Sequence, residues 1–319
     1  MRVLVTGAAG MLGRKLTERL RRDPTIGGRA VAHLDLVDVV EPTALGDGEA
    51  AAALDLGDPA VAPRLAATRP DVVFHLAGVV SGEAEADMAK GYRVNLDGTR
   101  HLLDALAAVP GRPRVVFTSS LAVYGAPVPD PIPDDFHLTP LTSYGTQKLM
   151  GEALLADYSR RALIDGVGIR LPTITVRPGA PNRAASGFFS SIIREPLAGL
   201  PATVPVPRST RHPHASPRAA VGYLLHAAAL DTARLGPRRN LMMPGISVSV
   251  EEQIAALGRV AGPDAVALVS DEPDEAVASM IGGWPRAVAA TRATELGFRC
   301  ETTYDEIIRV YLDEDAPGR

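Results

Sequence analysis

The segment Val3-Leu4-Val5-Thr6-Gly7-Ala8-Ala9-Gly10-Met11-Leu12-Gly13 joins a short apolar run to three evenly spaced glycines. The run predicts a strand over residues 2–6, and the pattern that follows predicts an amphipathic helix over residues 11–22. Glycines let the backbone turn sharply and let a phosphate approach it, and the helix start offers free N–H groups. A tight strand–helix turn can also use glycines without a ligand. We expect a dinucleotide to bind here, at Gly7, Ala9, Gly10, Met11 and Leu12.

Strand and helix patterns alternate along the first half of the chain. Apolar runs at 31–40, 72–76, 114–118 and 167–176 predict strands, and those at 72–76 and 114–118 are typical of strands covered on both faces. Helical patterns occupy 88–109 and 143–161. This alternation predicts an α/β fold, a Rossmann-type doubly wound parallel sheet.

The amino-acid composition changes beyond Pro178, where proline and glycine become frequent. We therefore predict a dinucleotide-binding domain at 1–176 and a smaller C-terminal substrate-binding region at 177–218 and 249–319. The stretch 219–248, which begins with a helical pattern, is expected to pack back on the main sheet. Further helices are predicted at 250–261, 274–281 and 304–312.

Composition excludes several classes of protein. The formal net charge of −4 gives no basic face for nucleic acid, and no apolar run has the length of a membrane span. The first strand pattern begins directly after Met1, and we expect no signal peptide. The single cysteine, Cys300, excludes an internal disulfide framework and a multi-thiolate metal site. We expect a cytoplasmic protein with no membrane or nucleic-acid partner.

An acidic residue near the end of the second predicted strand bears on the choice of dinucleotide. Asp38 lies 25 residues beyond Gly13, where a carboxylate accepts hydrogen bonds from ribose hydroxyls and repels a 2′-phosphate. Asp38 therefore favours NAD over NADP. Asp35 is the competing candidate, but we expect it to be a solvent-facing strand residue.

A tyrosine and a lysine four residues apart share one face of the predicted helix at 143–161. In Tyr144-Gly-Thr-Gln-Lys148 the ammonium is expected to lower the pKa of the phenol, which makes tyrosine a workable acid or base. Such a pair alone is common on protein surfaces. It gains weight from Thr118-Ser119-Ser120 at the end of a buried strand, because ligands bind at the carboxyl ends of parallel strands. We expect Ser120, Tyr144 and Lys148 to be catalytic and to bind substrate and cofactor.

These features together resemble the extended branch of the short-chain dehydrogenase/reductase superfamily, the NAD-dependent epimerase/dehydratase-like group. The resemblance implies that Ser120 is the catalytic serine, that Asn95 supports the helix carrying the site, and that NAD is the cofactor. It further implies three sets of cofactor contacts. Asp55 and Leu56 would lie at the adenine, and Leu76, Ala77 and Gly78 along the phosphates. Leu171, Pro172 and Thr173 would flank the nicotinamide.

Other segments resemble a narrower family, the bacterial D-erythronate dehydrogenases. They are residues 80–87, 117–127, 184–189 and 211–218. The resemblance implies NAD-dependent oxidation of the C2 hydroxyl of a four-carbon sugar acid, D-erythronate, to the 2-oxo acid. Arginine suits a carboxylate, so Arg183 and Arg211 are candidate substrate contacts, as is Ser81. Either arginine can also be a solvated surface residue, and Ser81 can be a loop serine.

Two alternatives stay open. One is a nucleotide-sugar epimerase with the same cofactor domain, and the other is a non-catalytic NAD-sensing protein. We expect no metal, because His212 and His214 lack a third ligand at a recognisable spacing. A homodimer is expected by analogy with relatives.

Overall fold

The computed structural model describes residues 1–179 and 185–316. The strands are β1 (Arg2–Thr6), β2 (Thr25–Ile26), β3 (Arg29–Ala30), β4 (His33–Asp38), β5 (Glu49–Ala53), β6 (Val72–His75), β7 (Arg114–Ser120), β8 (Ile132–Pro133), β9 (Asp165–Leu171), β10 (Thr173–Ile174), β11 (Ala202–Val204), β12 (Arg211–Ala215), β13 (Asn240–Met242), β14 (Ile246–Ser249), β15 (Val269–Asp271) and β16 (Val288–Ala289).

The α-helices are α1 (Met11–Arg22), α2 (Val61–Ala66), α3 (Ser81–Ala86), α4 (Met88–Gly91), α5 (Gly98–Ala108), α6 (Ser143–Arg160), α7 (Phe188–Leu197), α8 (Pro217–Ala229), α9 (Val250–Ala261), α10 (Pro263–Ala267), α11 (Glu275–Gly282), α12 (Thr291–Glu295) and α13 (Tyr304–Glu314). A π-helical turn at Tyr92–Asp97 joins α4 to α5. In the described part of the chain, no helix has both the length and the apolar character needed to cross a membrane.

The main sheet has seven strands in the order β13-β9-β7-β6-β1-β4-β5, and every neighbouring pair is parallel. The chain winds outward from β1 in one direction through β4 and β5, and in the other through β6, β7, β9 and β13. This confirms the predicted Rossmann-type doubly wound sheet. The order reverses between β1 and β6, and ligands bind at such a switch point.

Helices cover both faces of the main sheet. On one face α1 and α8 bury Leu16, Leu20 and Tyr223 in a core shared with β1. On the other face α2, α5 and α6 bury residues such as Leu102 and Leu155. The central strands are therefore apolar on both sides, which explains why their sequences read as continuous apolar runs.

A separate hydrophobic core lies in the C-terminal region. It is built from α7, α9 and α13, with Phe189, Ile193, Leu257 and Ile308 fully buried. Residues from β16 to Phe298 pack instead against the core of the main sheet, as does α8. The division of the chain into two regions stays a prediction, and these contacts show that the stretch 288–298 shares its packing with the first region.

Two predicted strands differ from the observed ones for physical reasons. The strand predicted at 31–40 spans only His33–Asp38, because β2 and β3 form a hairpin before it and Val39 and Val40 are exposed after it. The strand predicted at 167–176 breaks at Pro172, which has no N–H to donate to a ladder. The second piece, β10, joins β12 and β14 in a smaller sheet.

Candidate active site and cofactor cleft

The glycine loop between β1 and α1 packs against the loop that follows β6. Gly7 has φ of +77°, and a Cβ there would lie 2.6 Å from the backbone nitrogen of Ala77. A Cβ on Gly13 would lie 2.2 Å from the carbonyl oxygen of Gly7. Only glycine satisfies these close approaches, so the loop sits tightly on its neighbours and leaves the first turn of α1 open.

A cleft of about 940 Å³ opens over this loop at the switch point of the sheet. Nine residues that the sequence predicted to bind a cofactor line the cleft: Gly7, Ala9, Gly10, Asp38, Asp55, Leu56, Leu76, Ala77 and Gly78. The sequence did not predict other lining residues, including Arg14, Val39, Val40 and Arg93. The other predicted cofactor residues do not line it: Met11, Leu12, Asn95, Tyr144, Lys148, Leu171, Pro172 and Thr173.

Asp38 ends β4 at the rim of this cleft. Its carboxylate accepts hydrogen bonds from the backbone N–H groups of Ala9, at 3.0 Å, and Val39, at 2.7 Å. The expectation that Asp35 faces solvent is wrong. Asp35 is buried and accepts two hydrogen bonds from Arg2, at 2.6 and 2.7 Å. Asp38 is therefore the carboxylate of this strand that is presented to the cleft.

Asp55 and Asn95 fix the far walls of the cleft. Asp55 accepts a hydrogen bond from Arg93 at 2.8 Å. The buried Asn95 bonds both backbone groups of Val79 and donates to Oε1 of Gln147 at 2.7 Å. Since Gln147 lies on α6, Asn95 ties the loop after β6 to the helix that carries Tyr144 and Lys148.

The end of β7 and the first turns of α6 bring Ser120, Tyr144 and Lys148 together. Lys148 is buried and donates from Nζ to the carbonyl oxygen of Thr118 at 2.9 Å. Nζ lies 5.6 Å from the ring centroid of Tyr144. A Cβ placed on Gly78 would lie 3.5 Å from the same Nζ, so this ammonium borders the cofactor cleft.

The electrostatics of the group are set by burial. Burial raises the pKa of Tyr144 to about 12, while a hydrogen bond with Ser120 and the charge of Arg177 lower it. Burial lowers the pKa of Lys148 to about 8, and the carboxylate of Glu152 opposes that change. The phenol therefore holds its proton firmly unless cations stabilise its ionised form.

A buried ion pair lies beneath the site. Glu152, on α6, accepts two hydrogen bonds from Arg170, at 2.9 and 2.7 Å, and one from the hydroxyl of Ser119 at 2.6 Å. Arg170 also donates to the phenol oxygen of Tyr124 at 2.7 Å. This network joins α6 to β7 and β9 one residue before Ser120, and no local sequence pattern predicts it.

The predicted substrate residues Ser81 and Arg211 lie on different elements. Ser81 begins the short helix α3. Arg211 begins β12, donates to the carbonyl oxygen of Ser247 at 2.7 Å and pairs with Glu252 at 2.8 Å. Arg183 lies outside the described residues. Arg211 therefore already has an acidic partner in this structure.

The two histidines of β12 are buried and hydrogen-bonded within the protein. His212 bonds the hydroxyl of Thr173 and the carbonyl oxygen of Pro285, both at 2.8 Å. His214 bonds the side-chain amide of Gln253 at 2.9 Å. Burial lowers the pKa of His212 to about 4, so the ring is neutral. These histidines hold the smaller sheet against its surroundings.

The cleft fits a dinucleotide. A Cβ at Gly7 would collide with neighbouring backbone, the open first turn of α1 can accept a pyrophosphate, and the Asp38 carboxylate stands where ribose hydroxyls would bind. Fold and site together define a dinucleotide-dependent α/β enzyme. The chain belongs to the NAD-dependent epimerase/dehydratase family, whose model matches residues 3–213, and its cofactor is NAD.

Individual relatives carry two different names. The chain is 48% identical to a D-erythronate dehydrogenase of Cupriavidus necator, over 98% of each chain. It is 36% identical to a D-erythronate dehydrogenase of Haemophilus influenzae, over 99% of this chain and 100% of that one. A solved structure described as a nucleoside-diphosphate-sugar epimerase from Agrobacterium tumefaciens is 57% identical, with a TM-score of 0.96, and the match covers 98% of this chain and 94% of that one.

Proposed function

We propose that this protein oxidises the C2 hydroxyl of a small sugar acid, D-erythronate, to the 2-oxo acid with NAD. The observation that carries the proposal is the end-to-end similarity to the Cupriavidus necator enzyme of that name, at 48% identity. The grouping of the buried Lys148 with the partly buried Ser120 and Tyr144, beside the cleft, supports the reaction type. Bound NAD would supply the acceptor for the hydride that leaves C2.

Three side chains take part in removing the hydroxyl proton of the substrate. Ser120, whose hydroxyl lowers the pKa of Tyr144, holds the substrate oxygen within reach of the phenol. Tyr144 in its phenolate form accepts the hydroxyl proton as the oxo group forms. Lys148, anchored on Thr118 and bordering the cleft, stabilises the phenolate and offers its remaining N–H groups to the cofactor ribose.

The cofactor contacts follow the cleft. The glycine loop, from Gly7 to Leu12, would hold the pyrophosphate, and Asp38 would hold the adenosine ribose. Asp55 and Leu56 would lie at the adenine, and residues 76–78 along the phosphates and the ribose. Asn95 acts through Gln147 and Val79 as a positioning residue, and residues 171–173 would flank the nicotinamide.

A nucleotide-sugar epimerase is the second candidate, favoured by the description of the 57% identical structure. The two functions differ in their net chemistry. A dehydrogenase releases NADH in proportion to substrate, whereas an epimerase returns the hydride and accumulates none.

One assay separates the two candidates. The purified enzyme is given NAD or NADP with a panel of four- and five-carbon sugar acids, and with UDP-glucose, and the nicotinamide absorbance is followed. We expect NADH formation with D-erythronate and NAD. Absence of turnover with every acid, together with epimerisation of the nucleotide sugar without net NADH, would overturn the proposal.

A further inference from the structure

Arg177, three residues beyond the end of β10, is a partly buried cation without an acidic partner among the described residues. No carboxylate lies within ion-pair distance of its guanidinium in residues 1–179 and 185–316. By contrast, the nearby Arg170 and Arg194 each pair with a glutamate, at 2.7 and 2.5 Å. A buried charge is costly unless a counter-charge meets it, so an uncompensated guanidinium in a site suggests that a ligand supplies the anion.

The orientation of Arg177 is fixed by neutral partners. Its Nε donates to the carbonyl oxygen of Ile174 at 2.9 Å, and one terminal nitrogen donates to the hydroxyl of Ser186 at 2.8 Å. The other terminal nitrogen has no hydrogen-bond partner within the described residues. The backbone around it is also held, because Ser190 accepts from the N–H of Arg177 and Arg194 donates to its carbonyl oxygen.

This guanidinium acts on the phenol of Tyr144. Its positive charge lowers the pKa of Tyr144, and the interaction is mutual. Burial lowers the pKa of Arg177 itself, but a guanidinium keeps its proton at any physiological pH. A permanent cation therefore acts on the group proposed to take the substrate proton.

The chemistry of a 2-hydroxy acid places its carboxylate next to the reacting hydroxyl. The carboxylate carbon is bonded directly to the carbon that carries the reacting hydroxyl. A side chain that holds the carboxylate must therefore lie within a few bond lengths of the residue that accepts the hydroxyl proton. Arg177 lies six residues beyond Leu171, which pairs with Ser120 at the end of β7. Its charge acts on Tyr144, whereas Arg211 is engaged by Glu252.

We propose that Arg177 binds the carboxylate of the substrate, and so selects hydroxy acids over uncharged alcohols. This inference rests on the proposed function. A guanidinium offers parallel N–H groups to both oxygens of a carboxylate, which fixes the C2 hydroxyl relative to Tyr144. On this account Arg177 both orients the substrate and favours the phenolate.

The test compares an acid with its uncharged analogue. Wild-type enzyme, Arg177→Met and Arg177→Lys are assayed with D-erythronate and with D-erythronamide, in which an amide replaces the carboxylate. We expect the acid-to-amide ratio of kcat/KM to fall about 10- to 100-fold in Arg177→Met, because a hydrogen-bonded charge pair is lost. Arg177→Lys should lie between it and wild type.

Two further arginines serve as comparisons. Arg208→Met removes an exposed arginine that pairs with Asp271, and should leave the ratio unchanged. Arg211→Met tests the arginine expected from the sequence. An unchanged ratio in Arg177→Met, or a collapse of the ratio in Arg211→Met alone, would overturn the inference.

If Arg177→Met is inactive, a binding measurement tests the inference instead. D-Erythronate and the amide are titrated by calorimetry into enzyme saturated with NADH, after NADH affinity has shown that the variant is folded. We expect Arg177→Met to lose affinity for the acid and to keep its affinity for the amide. Equal affinity of wild type and variant for the acid would contradict the inference. Failure of the wild type to oxidise any hydroxy acid would instead contradict the proposed function.

Discussion

Lys148 donates a hydrogen bond from Nζ to the carbonyl oxygen of Thr118, at 2.9 Å, and so joins α6 to the end of the central strand β7. Ser120 follows Thr118 by two residues, and Tyr144 precedes Lys148 by one helical turn. One bond therefore fixes the relative position of both elements that carry the proposed chemistry. The Glu152–Arg170 pair beneath it joins the same helix to the neighbouring strand β9.

The buried pair under the site should dominate local stability. Glu152→Gln leaves Arg170 charged and buried without its counter-charge, and we expect it to lower the free energy of unfolding by about 3 kcal/mol or more. Asp271→Asn, which breaks the exposed pair with Arg208, is the matched control and should cost less than about 1 kcal/mol. Urea denaturation measures both. Similar losses in the two variants would contradict this view of the pair.

Asp38 should set the choice between NAD and NADP. Its carboxylate lies at the rim of the cleft, held by two backbone N–H groups, and repels a 2′-phosphate. We expect Asp38→Ala to raise kcat/KM with NADP relative to NAD by at least about tenfold, because juxtaposed like charges are costly. Asp35→Ala, at the buried partner of Arg2, is the comparison. A preference that changes only in the Asp35 variant would refute the assignment.

The pH dependence of oxidation should report the charge of Arg177. Oxidation needs the phenolate of Tyr144, so kcat/KM should rise with pH toward the pKa of that group. Since Arg177 lowers this pKa, its removal should raise it. Profiles recorded between about pH 6 and pH 10 should shift to higher pH in Arg177→Met and much less in Arg177→Lys. Superimposable profiles would mean that Arg177 does not act on the phenol.

Buried neutral histidines should make the fold sensitive to acid. Burial lowers the pKa of His75 to about 3, and its two ring nitrogens bond Thr6 and Thr99. Below the unfolded pKa of about 6.5 the unfolded chain binds a proton that the folded chain refuses, so stability falls as pH falls toward about 3.

This effect can be assigned to one residue. Between pH 7 and pH 5 His75 should cost about 2 kcal/mol of unfolding free energy. His75→Gln should lessen the pH dependence by that amount, and His137→Gln, at an exposed site, should not change it. Urea midpoints at the two pH values provide the measurement. An unchanged dependence in His75→Gln would rule out a neutral buried His75.

Much of the fold follows from local pattern. The strand at Arg2–Thr6 and the helix at Met11–Arg22 have the predicted bounds, because an apolar run, a glycine turn and an Asp-Pro stop all lie within one short segment. The helix at 250–261 is likewise as predicted, with a capping box at Ser249. Neighbouring residues in the chain determine such elements, so a single sequence is enough to predict their bounds.

Features that depend on residues distant in the chain could not be predicted from the sequence. Asp35 is two residues from a strand end and looks solvent-facing until Arg2, on the neighbouring strand, is seen to pair with it. Arg177 follows a broken strand in a proline-rich stretch, and only the folded chain brings it to Tyr144. The π-helical turn at Tyr92–Asp97 was also missed, because its residues fit the same apolar pattern that predicts an α-helix.

The central claim is that Tyr144 is the acid–base group of an NAD-dependent sugar-acid dehydrogenase. The most direct test compares the initial rate of NADH formation from D-erythronate in wild type and Tyr144→Phe, with NAD affinity measured in parallel. The account predicts that kcat falls by at least about 100-fold while the Kd for NAD changes less than about threefold. Turnover near the wild-type rate in Tyr144→Phe would contradict it.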